Sequence, residues 1–373
     1  MLPYIIVIIS TTILTYFAQK TIDRSKILFG FISLLVLLIP SLLAGFREEV
    51  NGVDILVYEK NLFTDATRFS SFVEYYLSED IDLLFLAINY IASCLSDKLG
   101  VALFFIEFSC VFFAYLAIIK MRNYSPMWVS IFIYLLCYYN LSFNLMRQMV
   151  ATAFLLYAFT FALKDNNIKK FIALCIVSYF FHKTAFMASF FFIYIFWALN
   201  STQNRKAKTI VYVLGCLSIL ILFQILLSML ANLGGRFETY VAYGGMSGNN
   251  WKPTTFTILI LGDILLLILS FILYYYKEKD LQRENYILFM LVVTDLMSQY
   301  LGKYTAFATR MSCYFCAPYI FLLPRIFLKA NIVNKQTKFI FISLLVLSFV
   351  IIWLRMVNST GNTIPYKSSI LGI

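Results

Sequence analysis

Long apolar runs separated by short polar connectors dominate the chain up to about residue 355. Runs such as 27–44, 101–119 and 254–276 reach the roughly 17–25 residues that a helix needs to cross a bilayer. Their apolar residues are continuous rather than alternating, which is typical of helices and not of barrel strands. The pattern predicts an all-α polytopic integral membrane protein with about 12 transmembrane helices. The predicted spans are 2–18, 27–44, 99–119, 127–143, 147–163, 168–182, 184–199, 209–231, 254–276, 284–301, 308–328 and 338–355.

One apolar segment, 81–95, is too short to cross a bilayer alone, and counting it as a span would invert every later connector. We therefore predict a re-entrant or interfacial helix, which membranes tolerate only against protein or a wet cavity. No polar stretch is long enough for a separate soluble domain. Residues 1–373 are predicted to form a single transmembrane domain with outer loops at about 45–98 and 232–253.

Composition and charge agree with this topology. Only 13% of residues are charged, against about 25% in an average soluble domain. Basic residues cluster in alternate connectors, so the positive-inside rule makes those connectors cytoplasmic and places both termini outside. The net charge of +11 follows from this arrangement and predicts no nucleic-acid partner. Seven scattered cysteines and one histidine predict no metal and no cofactor.

Six arginines fall on the predicted outer side, where the positive-inside rule disfavours them. They are Arg47, Arg68, Arg147, Arg236, Arg310 and Arg355. Arg147 and Arg310 each begin a predicted span, and a charge at membrane depth by default marks a substrate or ion path. The guanidinium fork suits phosphate, and an outward helix N-terminus adds free N–H groups. Together with Arg47 they predict a diphosphate site, unless they snorkel to lipid headgroups or pair with outer acids.

His182 is the only histidine of the chain and lies at the predicted outer junction of two spans. A neutral imidazole there could take a proton from a hydroxyl nucleophile, or it could be a polar turn residue. Asp54 follows Gly52 and lies four residues before Tyr58, so a helix would stack the two side chains. Asp54 could act as a base, orient a sugar hydroxyl or only cap that helix.

Three further patterns are less decisive. Asn140, Asn144 and Arg147 are spaced i, i+4 and i+7, so a helical backbone would place them on one face. The segment Asp80-Ile81-Asp82 resembles a short DxD motif, and we interpret it as the acidic start of the 81–95 helix. Three acids lie within predicted spans and could relay protons or hold basic partners, namely Glu107, Asp263 and Asp295.

Four segments resemble, in order and spacing, the signature of the EpsG family, whose members are similar to Wzy-type polymerases of exopolysaccharide, capsule and O-antigen. The segments are Gly45-Phe46-Arg47 with Gly52-Val53-Asp54 and Tyr58, Asn144-Leu145-Met146-Arg147-Gln148, His182-Lys183-Thr184-Ala185 and Thr363-Ile364-Pro365-Tyr366.

The resemblance implies a metal-independent glycosyltransferase with a GT-C-like membrane fold. Such an enzyme polymerises undecaprenyl-diphosphate-linked repeat units on the outer face of the bacterial cytoplasmic membrane, with the lipid diphosphate as leaving group. The family also implies a Wzz-like chain-length co-polymerase as a partner, beside membrane lipids. A lipid-linked oligosaccharide flippase, an O-antigen ligase and a membrane O-acyltransferase remain alternatives.

By the same analogy, the base that deprotonates the acceptor hydroxyl would be His182 or Asp54. The residues that would bind substrate are Arg47, Tyr58, Asn144, Arg147, Gln148 and Arg310. The acidic pair Glu48-Glu49 beside Arg47 departs from a phosphate site and weakens the role of that arginine.

Overall fold

The computed structural model describes residues 1–200, 204–231, 253–275, 281–302, 304, 306–329, 335–359 and 361–373. Within these ranges every regular element is helical. The first helices are α1 Leu2–Thr21, α2 Lys26–Phe46, α3 Lys60–Arg68, α4 Phe72–Ser78, α5 Leu83–Ser93, α6 Leu99–Lys120, α7 Met127–Tyr134, α8 Asn140–Ser142 and α9 Met146–Leu163. They are followed by α10 Ile168–Tyr179, α11 Thr184–Asn200, α12 Arg205–Ala231, α13 Pro253–Tyr275, α14 Gln282–Leu301, α15 Ala306–Cys316, α16 Tyr319–Lys329 and α17 Lys335–Ser359. π-Helical turns at Ile55–Glu59 and Leu135–Tyr139 precede α3 and α8.

The helices fall into two compact units. The first comprises Met1–Met187, Leu323–Phe327 and Lys335–Ile373, and the second comprises Ala188–Leu322 and Leu328–Asn334. The predicted single transmembrane domain stays a prediction. The predicted outer loop at 232–253 lies outside the described residues except for Pro253, which begins α13.

Among the described residues, five helices are long and apolar enough to cross a membrane: α1, α2, α6, α9 and residues 205–223 of α12. The bent pair Phe307–Cys316 and Tyr319–Lys329 would count as a sixth span. An all-helical polytopic membrane protein is thereby confirmed. The count of about 12 spans and the GT-C likeness stay predictions.

Two short helices differ in how they relate to the predicted spans. The segment predicted as re-entrant or interfacial contains α5, whose 11 residues extend only about 16 Å. The predicted span 168–182 is represented by α10, which has 12 residues and ends at Tyr179. A backbone turn at 180–183 ends α10 before it could cross a bilayer, and this turn carries His182.

Three of the basic connectors meet at one end of the first unit. Arg122 pairs with Asp23 at 3.7 Å, Lys120 pairs with Asp165, and the Nζ of Lys164 donates to the Lys120 carbonyl at 2.7 Å. From this end α2, α6 and α9 extend to the other end, where the segment after Phe46 begins. The 22 residues of α6 correspond to about 33 Å.

Glycines allow α2 and α6 to approach closely at that second end. A Cβ added to Gly45 would lie 2.8 Å from the carbonyl oxygen of Gly100, and a Cβ on Gly100 would collide with the carbonyl oxygen of Gly45. The two backbones are therefore in direct contact.

We expect Gly100→Ala to destabilise the first unit by about 1–3 kcal/mol, because the backbones must separate to admit the methyl group. Gly30→Ala is the matched control, since Gly30 lies within α2 with open space around it. Thermal unfolding in detergent should show a lower Tm for the first variant and an unchanged or higher Tm for the second. Equal Tm values in both variants would contradict the close contact.

Candidate active site

The turn after α2 holds two of the motif segments together. Gly52 has a φ of +130°, and a Cβ there would lie 2.6 Å from the Phe143 carbonyl oxygen. Only glycine fits such a position without strain. The next residue, Val53, donates its N–H to Oδ1 of Asn144 at 2.8 Å. Asn144 therefore organises the backbone beside the site through this bond.

The C-terminal motif segment joins the same turn. The side chain of Asn51 donates to the Pro365 carbonyl and accepts from the Lys367 N–H, both at 2.7 Å. The hydroxyl of Tyr366 donates to the Leu43 carbonyl at 2.7 Å. Three of the four segments that carry the family resemblance are thus bonded to one another in the first unit.

Asp82 connects Arg147 with the fourth segment. Its Oδ2 lies 3.4 Å from Nη1 of Arg147 and 3.3 Å from Nδ1 of His182, while its Oδ1 accepts the Lys183 N–H at 3.2 Å. The Asp82 side chain is 4% exposed, whereas those of Arg147 and His182 are 23% and 19% exposed. A buried carboxylate thus holds a guanidinium and an imidazole that both remain within reach of a ligand.

Local backbone structure explains this meeting. Asp82 is the residue before α5, and Leu84 of the first turn donates its N–H to the Phe180 carbonyl at 2.9 Å. This bond aligns the start of α5 with the turn at 180–183. The Asp82 side chain makes no capping hydrogen bond, so the interpretation of Asp80-Ile81-Asp82 as a helix start was incomplete. Asp82 instead contacts Arg147 and His182, which lie 65 and 100 residues away from it along the chain.

Charge keeps this carboxyl ionised. Burial alone raises the pKa of Asp82, but the hydrogen bond and charge of His182 and the charge of Arg147 outweigh burial. The pKa of Asp82 therefore lies below its ordinary value. In the neutral form of His182, an ionised Asp82 favours the tautomer that donates from Nδ1 and carries its lone pair on Nε2.

Arg147 lies in the first turn of α9, whose N-cap residue Leu145 offers no side-chain cap. Backbone N–H groups at such a helix start favour anions. The guanidinium also lies 4.9 Å from the ring centroid of Tyr58, which fixes its position by a cation–π contact. Arg147 and Tyr58, predicted separately as substrate-binding residues, are therefore neighbours.

A shared face for Asn140, Asn144 and Arg147 required a continuous helix, and the structure does not meet this condition. The backbone leaves the helix at 143–145, between α8 and α9. Asn140 instead accepts a hydrogen bond from Nε1 of Trp353 at 2.9 Å. Only Arg147 of the three contacts Asp82 within the described residues.

Arg47 lies on the other side of Met146. It is 6% exposed, its guanidinium lies 3.9 Å from the Phe143 ring centroid, and Nη2 contacts Sδ of Met146 at 3.8 Å. Within the described residues its Nε and Nη1 have no hydrogen-bond partner. The neighbouring Glu49 pairs with Lys60 at 2.6 Å, which reduces the effect of the acidic pair on Arg47.

The remaining predicted site residues are Asp54, Gln148 and Arg310. Asp54 precedes the π-helical turn without making a side-chain cap, so its role as base stays a prediction. Gln148 is buried next to Arg147. Arg310 belongs to the second unit, where its side chain is exposed, and its place in a shared site also stays a prediction.

The structure gives contacts for one of the other outer arginines and for two of the acids within predicted spans. Arg68 is exposed and pairs with Asp65 at 3.0 Å, Arg355 is exposed, and Arg236 lies outside the described residues. Glu107 accepts from Ser142. In the second unit, Asp295 accepts from Sγ of Cys316 at 3.0 Å. In the part of the chain that the structure describes, no three His, Cys, Asp or Glu side chains are grouped to hold a metal ion.

Glu59 was missed in the sequence because it follows Tyr58 in an outer segment rich in acids. Its side chain is fully buried on the π-helical turn that also positions Tyr58. Burial raises the pKa of Glu59 to about 8. At neutral pH this carboxyl therefore keeps its proton and adds no negative charge beside Arg147.

This protonation makes stability depend on pH. Between the ordinary value of 4.5 and about 8, the unfolded chain releases a proton that the folded protein retains. The free energy of unfolding should therefore fall as pH rises through this window, by up to roughly 5 kcal/mol, and level off above it. Thermal unfolding of Glu59→Gln should lack this slope, whereas the exposed control Glu74→Gln should keep it. A flat profile in the unmodified protein would contradict the assignment.

The sequence model of the EpsG family matches residues 30–368 of the chain. No curated protein and no solved structure matches the chain. The matched range contains all four motif segments and the group formed by Asp82, Arg147 and His182, which we call the Asp82 cluster.

Proposed function

The chain belongs to the EpsG family, a family of polysaccharide polymerase-type membrane proteins, and from this premise we propose that it polymerises undecaprenyl-diphosphate-linked repeat units. The donor is a glycan on undecaprenyl diphosphate, and the acceptor is the non-reducing sugar of another lipid-linked unit. The observation that carries the proposal is Asp82, because it places Arg147 and His182 on one buried carboxylate.

Each residue of this cluster has a role in the transfer. The acceptor hydroxyl attacks the anomeric carbon of the donor glycan and gives its proton to Nε2 of His182. Asp82 stabilises the imidazolium that forms. The bond between the anomeric carbon and the diphosphate oxygen breaks, and undecaprenyl diphosphate leaves with the electron pair. Arg147 and the N-terminal amides of α9 stabilise the negative charge on this leaving group.

The distribution of charge supports an outer position for this chemistry. The basic connectors and the Asp82 cluster lie at opposite ends of α9, and α6 extends about 33 Å between the same two ends. By the positive-inside rule the basic end is cytoplasmic, so the cluster faces outward. Outside the cell, substrates arrive already activated as lipid diphosphates, and the enzyme needs positioning and charge stabilisation rather than a nucleotide.

The test is polymerisation by purified protein supplied with a synthetic lipid-diphosphate repeat unit, without nucleotide and with a chelator of divalent cations. We expect a ladder of glycans that differ by one repeat unit. A single transfer onto an unrelated acceptor would favour a ligase instead. Movement of the lipid between leaflets of a vesicle, with no new glycosidic bond, would favour a flippase.

A further inference from the structure

A cavity of about 650 Å³ lies beside the contact between the C-terminal end of α2 and the N-terminal end of α6. We call it the α2–α6 groove. Its wall is mainly apolar, and the residues that form it include Leu42, Phe46, Leu99, Leu103, Phe104 and Ile370. Because α2 and α6 are both long and apolar enough to span a membrane, the groove lies at the membrane end of two candidate spans. Its volume falls within the roughly 300–1,000 Å³ typical of ligand pockets.

Arg47 connects this groove to the Asp82 cluster. It is among the residues that line the groove, and its guanidinium contacts Sδ of Met146 at 3.8 Å. Met146 is followed directly by Arg147 at the start of α9. Arg47 thus belongs to the groove wall and also contacts the residue before Arg147.

Arg47 forms no ion pair among the described residues. Its guanidinium makes a cation–π contact with Phe143, and the charge of Glu107 acts on it from beyond contact distance. Two of its nitrogens nevertheless have no hydrogen-bond partner within the described residues, although Arg47 is only 6% exposed. Buried donors without partners are costly, and an anionic group beside Arg47 would pair with them.

The groove wall also contains acids. Glu48 and Glu49 belong to it, as does Lys98, and Glu49 pairs with Lys60 at 2.6 Å. These acids disfavour an anion beside them and favour one beside Arg47. A ligand with an apolar chain and one anionic end fits a groove that has an apolar wall and a buried guanidinium.

We propose that the α2–α6 groove binds the isoprenoid chain of the lipid diphosphate, next to its diphosphate. The inference rests on the proposed function and specifies where the lipid part of its substrate lies. The proximal isoprenoid units occupy the groove, and the rest of the chain continues into the bilayer. Lipid tails are as apolar as the groove wall, so the groove holds the chain by packing and orients the donor, while the arginines hold its charge.

The test uses Leu42→Trp, which fills the groove from a position already 38% exposed. The matched control is Leu34→Trp, because Leu34 lies eight residues earlier on α2, is 48% exposed and does not line the groove. Binding of geranylgeranyl diphosphate and of inorganic diphosphate is measured on purified protein in detergent, without acceptor. Phosphatidylglycerol is added as a competitor in a separate series.

We expect Leu42→Trp to weaken geranylgeranyl diphosphate binding at least tenfold while inorganic diphosphate binding stays unchanged and Leu34→Trp has no effect. Unchanged geranylgeranyl diphosphate binding in Leu42→Trp would overturn the groove assignment. Equally strong competition by phosphatidylglycerol would overturn it as well, because the groove would then be a general lipid site. Either result leaves the polymerase intact if the unmodified protein still forms a ladder, whereas loss of the ladder in the unmodified protein would count against the proposed function itself.

Discussion

Replacing Arg147 by alanine is expected to abolish the glycan ladder, with a loss of at least roughly 10²–10³-fold in turnover. The guanidinium is the partly exposed cation of the cluster that can stabilise the departing diphosphate. Arg147→Lys keeps the charge but loses the planar fork and the stacking on Tyr58. We therefore expect the lysine variant to retain only a small part of the activity.

Arg68→Ala is the matched control for this prediction. Arg68 is also an outer arginine, but it is 71% exposed and pairs only with the nearby Asp65 within the described residues. Such exposed pairs contribute little to stability, so this variant should polymerise normally. Full activity in a correctly folded Arg147→Ala protein would remove Arg147 from the site.

The second large effect is expected for Asp82→Asn, with turnover falling by roughly 10²–10⁴-fold. The amide has nearly the shape of the carboxylate but cannot stabilise an imidazolium, and its NH₂ group favours the wrong tautomer of His182. The loss should appear in kcat more than in KM, because Asp82 itself is buried away from substrate. Measuring both constants with the lipid-linked repeat unit separates a positioning role from general damage to the fold.

Asp80→Asn distinguishes a positioning role of Asp82 from a metal-binding DxD motif. Asp80 is 75% exposed and lies 3.7 Å from Nζ of Lys183, so its loss should cost no more than about fivefold. If both aspartates proved equally essential and activity required a divalent cation, the two carboxylates would be metal ligands and Asp82 would not serve His182. His182→Ala should lose at least as much activity as Asp82→Asn, because it removes the proton acceptor that Asp82 orients.

Local patterns predicted the parts of the fold that depend on local physics. The extent predicted for the span at 127–143 coincides with the apolar helical segment Met127–Ser142, because an apolar run in a membrane satisfies its backbone as a helix. That this segment crosses the membrane stays a prediction. The helix predicted at 168–182 was too long, because α10 ends at Tyr179 and no local sequence pattern indicates this end. The turn that follows α10 brings His182 into contact with Asp82.

The sequence predicted those residues of the candidate site that are polar or charged at the edges of apolar runs. Arg147 and His182 stood out as polar residues at the edges of apolar runs. Asp82 did not, because an acid before a helix has an ordinary explanation, and its partners lie 65 and 100 residues away. Glu59 was hidden for a similar reason: in an acidic loop, nothing in the sequence marks the one carboxyl that becomes fully buried.

The most direct measurement is a structure of the protein in lipid nanodiscs with an unreactive phosphonate analogue of undecaprenyl diphosphate carrying one repeat unit. We expect the phosphate group to lie within about 3 Å of the Arg147 guanidinium, with the first sugar on the side of His182. A phosphate bound elsewhere, with Arg147 and His182 both directed toward lipid headgroups, would contradict the central claim.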